Sequence, residues 1–190
     1  MSIVKLIVQE PHKVLRQMAK EVLIPEILTP RTQNLIADMK ETLKNTPDGV
    51  GLAAPQIGVS LRIFIVSEEA EEIDRARKSG WERRNRETPE IRNDKPYEER
   101  EWKCYVYINP VIKNIARKKT EDSEGCLSVR GKYGTVKRHE KITVEAYDES
   151  GKKFTRGASN FFARVLQHEL DHLEGALFID RAEKIMDTEK

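Results

Sequence analysis

The 190-residue chain is expected to adopt an α+β fold. Three observations predict it. Several stretches repeat apolar residues at the helical period behind proline or capping signals. Others are β-branched or alternate strictly between apolar and polar, as strands do. The two kinds are interspersed without a regular β-α-β alternation, which argues for mostly antiparallel sheets. The length suits one unit, residues 1–190, with a workable core.

Taken in order, Pro11 is expected to start a first helix through Val14, Leu15, Met18 and Val22, because proline suits the first helical turn. Thr29-Pro30 opens a second, with Leu35 or Ile36, Met39 and Leu43 on one face. Asn45 to Gly49 is a cluster of turn formers that ends it. Leu61 to Val66 reads as a buried strand, and Cys104 to Ile108 as another, stopped at Asn109-Pro110. Lys141 to Tyr147 places Ile142, Val144 and Ala146 on one side, and Asp148 to Gly151 turns the chain back as a hairpin. Ser159 or Asn160 caps a helix running to about Leu173, with Gly175 as its stop. Leu177 to Ile179 is expected to be a short final strand.

Apolar residues make up 38% of the chain, below the common range of about 45–50% that also counts glycine. The deficit is local. Residues 68–103 hold twelve acidic and ten basic side chains. That segment reads as a charged insertion, a solvated surface excursion. The alternative is a docking element for a partner, anchored by Trp81 and Trp102. A net charge of +2 demands neither nucleic acid nor an anionic membrane. No nucleic-acid-binding motif is present, and no apolar run approaches the roughly 20 residues needed to span a bilayer. The first residues lack a long apolar signal core and the Arg- and Ser-rich character of a transit peptide. Two cysteines, one wanted as a thiolate, suit a reducing cytoplasm.

The chemistry concentrates in Gln167-His168-Glu169-Leu170-Asp171-His172, which contains H-E-x-x-H. Residues i and i+4 share a helix face, so this is expected to be a metal-binding helix with His168 and His172 aimed at one ion. Glu169 is set about 100° round the helix from His168, placed to handle water without being a ligand. Phe161 and Val165 lie about 20° and 60° from His168, so an apolar wall stands beside the metal. Leu166, Leu170 and Leu173 form a separate stripe assigned to the core. A catalytic site normally takes three protein ligands. Cys126, in Glu124-Gly125-Cys126-Leu127-Ser128, is the candidate third. Gly49-Val50-Gly51-Leu52-Ala53-Ala54-Pro55-Gln56 is a small-residue loop ending in an amide.

Together these segments resemble peptide deformylase, whose motifs G-x-G-L-A-A-P-Q, E-G-C-L-S and Q-H-E-x-D-H-L all stand here complete and in order. The resemblance runs from about Val14 to Arg181. It implies a metal-dependent hydrolase that removes the formyl group from N-formylmethionyl nascent peptides, with the ribosome as a transient partner. It implies one divalent metal per chain on Cys126, His168 and His172: ferrous iron as the active ion, with zinc, nickel and cobalt also suited to these donors. Glu169 becomes the general base and acid. Gln56 and the backbone N–H of Leu127 become the oxyanion donors. Val50, Phe161 and Val165 become the methionine pocket, and Gly51 a backbone edge for the substrate. Arg138 occupies a family arginine position and is expected to pair with Glu124, while Asp171 is a candidate partner for a ligand histidine.

Other readings weigh less. H-E-x-x-H alone fits a zincin-like metallopeptidase, but that class normally takes histidine or glutamate as third ligand. A family member that keeps metal only for folding is disfavoured by the complete Gln56 and Glu169 positions. Gly49 to Ala54 fits a dinucleotide fingerprint literally, yet Asn45 to Asp48 and Pro55 flank it where a strand and a helix would be needed. Cys104 alternates with Val106 and Ile108, as a core cysteine would, and His12 and His139 read as surface residues.

Overall fold

The computed structural model describes residues 2–78 and 102–188. In chain order its main elements are α1 (Pro30–Lys44), β1 (Gly51–Ala53), β2 (Ile63–Ser67), α2 (Glu69–Lys78), β3 (Cys104–Ile115), β4 (Lys119–Cys126), β5 (Val129–His139), β6 (Lys141–Tyr147), β7 (Lys153–Ser159), α3 (Asn160–Leu173) and β8 (Lys184–Asp187). Five strands form an antiparallel sheet in the order β1-β2-β3-β6-β7, and three form a second in the order β4-β5-β8. The fold is α+β, as the interspersed patterns require.

β2 explains the layering. All five of its residues are buried, and successive side chains of a strand point to opposite faces. Ile63 and Ile65 join a cluster with Ile36, Met39 and Leu43 of α1. Phe64 and Val66 join a cluster with Leu166, Leu170 and Leu173 of α3. The sheet is thus sandwiched between α1 and α3. Each fully buried aliphatic or aromatic side chain of this kind contributes about 1.5–3 kcal/mol, so α3 is held at the centre by its leucine stripe. The remaining face of the helix is free for the site.

α1, β2, β6 and the hairpin at Asp148 form as the sequence predicts. In the hairpin, Asp148 Oδ1 accepts from the backbone of Ser150 and Lys152, and Gly151 takes a positive φ of 78°. Four expectations are corrected. The helix from Pro11 is only a 3-10 turn, Lys13–Arg16. The chain after it is drawn out by long-range bonds, Ala19 N–H to Leu173 and Arg62 N–H to the Lys20 carbonyl. Asn109-Pro110 does not stop β3 but bulges it. The Asn109 side chain takes up the role of a missing strand by bonding both the N–H and the carbonyl of Val22. Leu177 to Ile179 is not a strand, because Asp180 accepts from Leu177 N–H and closes a 3-10 turn. The last strand is β8. Finally, Ser159 makes no side-chain cap on α3. Asp74 of α2 does so instead, accepting from Phe161 N–H at 3.2 Å.

The charged segment is only partly a surface excursion. Its first residues form α2, where Ala70 and Asp74 are buried. Trp102 packs on the α1 side of the sheet. Trp81 and residues 79–101 lie outside the described residues. Among the described residues, no helix is long and apolar enough to cross a membrane.

Candidate metal centre

α3 places His168 and His172 one turn apart, with ring centroids 5.0 Å from each other. Cys126 ends β4, where the register with β5 jumps: Gly125 faces Tyr133, but Cys126 faces Val129. That jump folds Leu127 and Ser128 into a tight return and turns the thiol toward α3. Cys126 Sγ lies 3.3 Å from His172 Nε2. The ligand atoms of Cys126, His168 and His172 all lie within 4.8 Å of one another. Tetrahedral bonds of about 2.0–2.3 Å would set donors roughly 3.3–3.6 Å apart, so the triangle fits a divalent ion after small adjustments.

Polar groups converge on the same point. Ser128 N–H and the Gln56 amide both face Cys126 Sγ, at 3.4 and 3.6 Å. Gln56 is oriented by its own Oε1, which accepts from Ala53 N–H at 2.8 Å. Glu169 is buried, and its Oε2 has no hydrogen-bond partner among the described residues. Burial pushes its carboxyl up to about 7, against the lowering influence of nearby His168. A side chain at Gly51 would meet Glu169 Oε1 at 2.4 Å. Only a glycine lets β1 approach the carboxylate so closely.

A cavity of about 470 Å³ opens onto this cluster. Val50, Gly51, Gln56, Leu127, Phe161 and Val165 line it, along with Cys126, His168 and Glu169. Of the residues expected to hold metal, react or bind substrate, all border this one space except His172, which is 1% exposed and 3.3 Å from Cys126 Sγ.

Residues 4–187 match the polypeptide deformylase family. The chain belongs to that family. It is 36% identical over 179 residues to the peptide deformylase of Desulforudis audaxviator, covering 94% of each chain. It is 41% identical over 175 residues to peptide deformylase 1A, chloroplastic/mitochondrial, of Arabidopsis thaliana. That match covers 92% of this chain but only 60% of the plant protein, and a tomato relative is covered to 58%. Among solved structures, the Met-Ala-Ser-bound class I type b peptide deformylase from Acinetobacter baumannii superposes with a TM-score of 0.74 at 31% identity. The alignment covers 95% of this chain and 99% of that one.

Beneath this candidate site lies an ionic lattice that the sequence shows only in part. Glu124 is buried and receives Arg138 through two bonds of 2.9 Å. It also receives Arg164 at 2.7 Å and His168 Nδ1 at 3.0 Å. Holding His168 through Nδ1 aims its Nε2 at the ligand cluster. Burial alone would raise the Glu124 carboxyl, but the bonds from His168 and Arg138 outweigh it and hold the group well below the usual range. Asp171 does not reach a histidine. It is taken up by Arg138 and Arg181, so the expected Asp171–histidine contact is corrected to Glu124–His168.

Arg164 was not anticipated. Its signal was present: a charged residue one turn before His168, on the stripe that carries the ligands. Gln9 was also missed. Its side chain bonds the Leu127 carbonyl, while Val8 and Glu10 bond the backbones of Gln56 and Ser128. The N-terminal segment thereby ties the Gln56 turn to the Cys126 return. His139 is half-buried, with Nδ1 2.6 Å from the Ala116 carbonyl, rather than a free surface residue. Cys104 is a free, partly buried thiol, pushed up to about 11 by burial.

Proposed function

We propose that this chain is a peptide deformylase, hydrolysing the N-formyl group from formylmethionyl nascent peptides and releasing formate. One observation carries the proposal. The Cys126–His168–His172 donor triangle, the partnerless carboxylate of Glu169 and the Gln56 amide meet at one cavity with an apolar wall of Val50, Phe161 and Val165.

Cys126, His168 and His172 would hold a divalent ion, which would supply Lewis acidity and lower the pKa of water toward neutral. The chain's own residues do the rest. Glu169, poised near 7, takes the proton from the attacking water and returns it to the departing amine. As the formyl carbon becomes tetrahedral its oxygen gains charge, and the Gln56 amide and Leu127 N–H donate to it. Val50, Phe161 and Val165 receive the methionine side chain, whose flexibility and polarisability suit an irregular apolar wall. β1 is an edge strand, so the backbone at Gly51 is open for the substrate to pair as an added strand.

Ferrous iron is the proposed resident ion because the family resemblance implies it; the Cys-His-His set by itself also accepts zinc, nickel and cobalt. The cytoplasm is the proposed compartment, from the unbridged cysteines. The reading treats the chain as one catalytic unit with residues 68–103 inserted, and the ribosome as a transient partner. Deleting residues 79–101 tests the docking alternative for the insertion: weaker co-sedimentation with ribosomes at intact peptide turnover would support it, and loss of neither would leave a solvated excursion.

The deciding experiment is formate release from formyl-Met-Ala-Ser by anaerobically purified protein, alongside Glu169→Ala and metal analysis of both. Metal in both proteins with turnover only in the wild type is expected. Metal in both with turnover in neither would reject the activity.

A further inference from the structure

We propose that Arg77, on the helix that opens the charged insertion, is a positioning residue that sets the selectivity of the cavity for the substrate's first side chain. The inference rests on Phe161 being a wall of that pocket. Phe161 opens α3 and lines the cavity beside Val50 and Val165. α2 grips it twice. Asp74 accepts from its backbone N–H at 3.2 Å, and the Arg77 guanidinium lies 4.7 Å from the centroid of its ring. The preceding residue is also held, since Asn160 N–H bonds the Glu140 carbonyl.

Arg77 is itself anchored. Its Nη1 donates to Asp122 Oδ2 at 3.0 Å, and Asp122 stands in β4, four residues before Cys126. The guanidinium therefore spans from the strand that carries the thiol ligand to the aromatic wall. It does not line the cavity, so it acts on substrate only through the ring. A cation over one face of a phenyl ring fixes the ring's plane by attraction to its quadrupole. The fixed ring presents an unchanging surface to an incoming side chain. A long unbranched side chain that fills the cavity gains from that surface, whereas a methyl group barely reaches it. Loosening the ring should cost the long side chain binding and leave the reacting groups untouched.

The test measures kcat and KM of the metal-loaded enzyme on formyl-Met-Ala-Ser and formyl-Ala-Ala-Ser. The variants are Arg77→Gln, Arg77→Lys, Phe161→Leu and the double variant. Arg77→Gln should raise KM for the methionyl peptide about three-fold, the scale of one exposed cation–π contact, with kcat unchanged. The methionine-over-alanine ratio of kcat/KM should shrink by the same factor. Arg77→Lys, which keeps a cation, should recover most of the ratio. In the Phe161→Leu background, Arg77→Gln should have no effect, because no ring remains. An unchanged ratio in Arg77→Gln, an equal fall in kcat on both peptides, or an undiminished effect without the ring would each overturn the inference while the deformylase reading stands. A wild type that releases no formate from either peptide overturns both.

Discussion

Glu124 gathers two arginines and a histidine around one buried carboxylate, at 2.7–3.0 Å. Removing its charge leaves Arg164 without its carboxylate partner and Arg138 with Asp171 alone, both arginines being about 4% exposed. Breaking a buried pair from one side typically costs about 3–5 kcal/mol. Glu124→Gln should therefore unfold at lower urea, and its metal affinity should drop about 10–100-fold because His168 loses its orienting acceptor. The pH dependence has a definite sign. The folded carboxyl is depressed, so its stabilisation is complete above the unfolded value of about 4.3 and is lost as pH falls below it. Urea unfolding from pH 7 to pH 3 should show the gap between wild type and Glu124→Gln narrowing below about pH 4; a constant gap would refute this account. The Glu124–Arg138 pair was legible from the family resemblance. The true partner of Asp171 was not, because several cations compete for one carboxylate and only packing selects among them.

At the scale of elements, local pattern succeeded wherever the element satisfies itself. α1 and β6 carry their own periodicity and punctuation, and both form where expected. α3 forms in register with its ligands but borrows its cap. An anion at a helix N-terminus satisfies an orphan N–H and favours the dipole. Asp74 supplies it from another helix. Asp74→Ala should lower stability by about 0.5–2 kcal/mol in urea titration, the usual range for a lost cap. No measurable loss would mean that Ser159 or water replaces it. β3 shows the same principle in reverse. Proline should end an ordinary strand, but Asn109 spans the gap to Val22 through its side chain and the strand resumes beyond it. A charged stretch such as Glu69–Lys78 reads as solvated from composition. It forms a packed helix because Ala70 and Asp74 are buried against the body and Glu71 pairs inward with Tyr105 and Arg156.

At the scale of the molecule, a site built from two sheets' worth of connections and one helix couples metal to folding. The donors converge only in the native chain, so an ion that binds there stabilises it by mass action, about 2.7 kcal/mol at a hundred times Kd. Chelation should lower the thermal midpoint of the loaded protein, and a Cys126→Ala variant should melt at the same temperature with or without chelator; equal shifts in both would place the bound metal elsewhere. The amino-acid sequence alone was enough for the family and the α+β class, and it nominated the His168–His172 helix and the other candidate site residues. It could do so because helical spacing sets His168 and His172 on one face through local geometry. Tertiary structure alone decided what meets that face. It turned Cys126 back onto His172 across 46 residues, brought Asp74 to α3 across 87, and gave Glu124 rather than Asp171 to His168. Periodicity encodes which side of an element is buried, whereas a partner distant in sequence is chosen by which buried faces pack together.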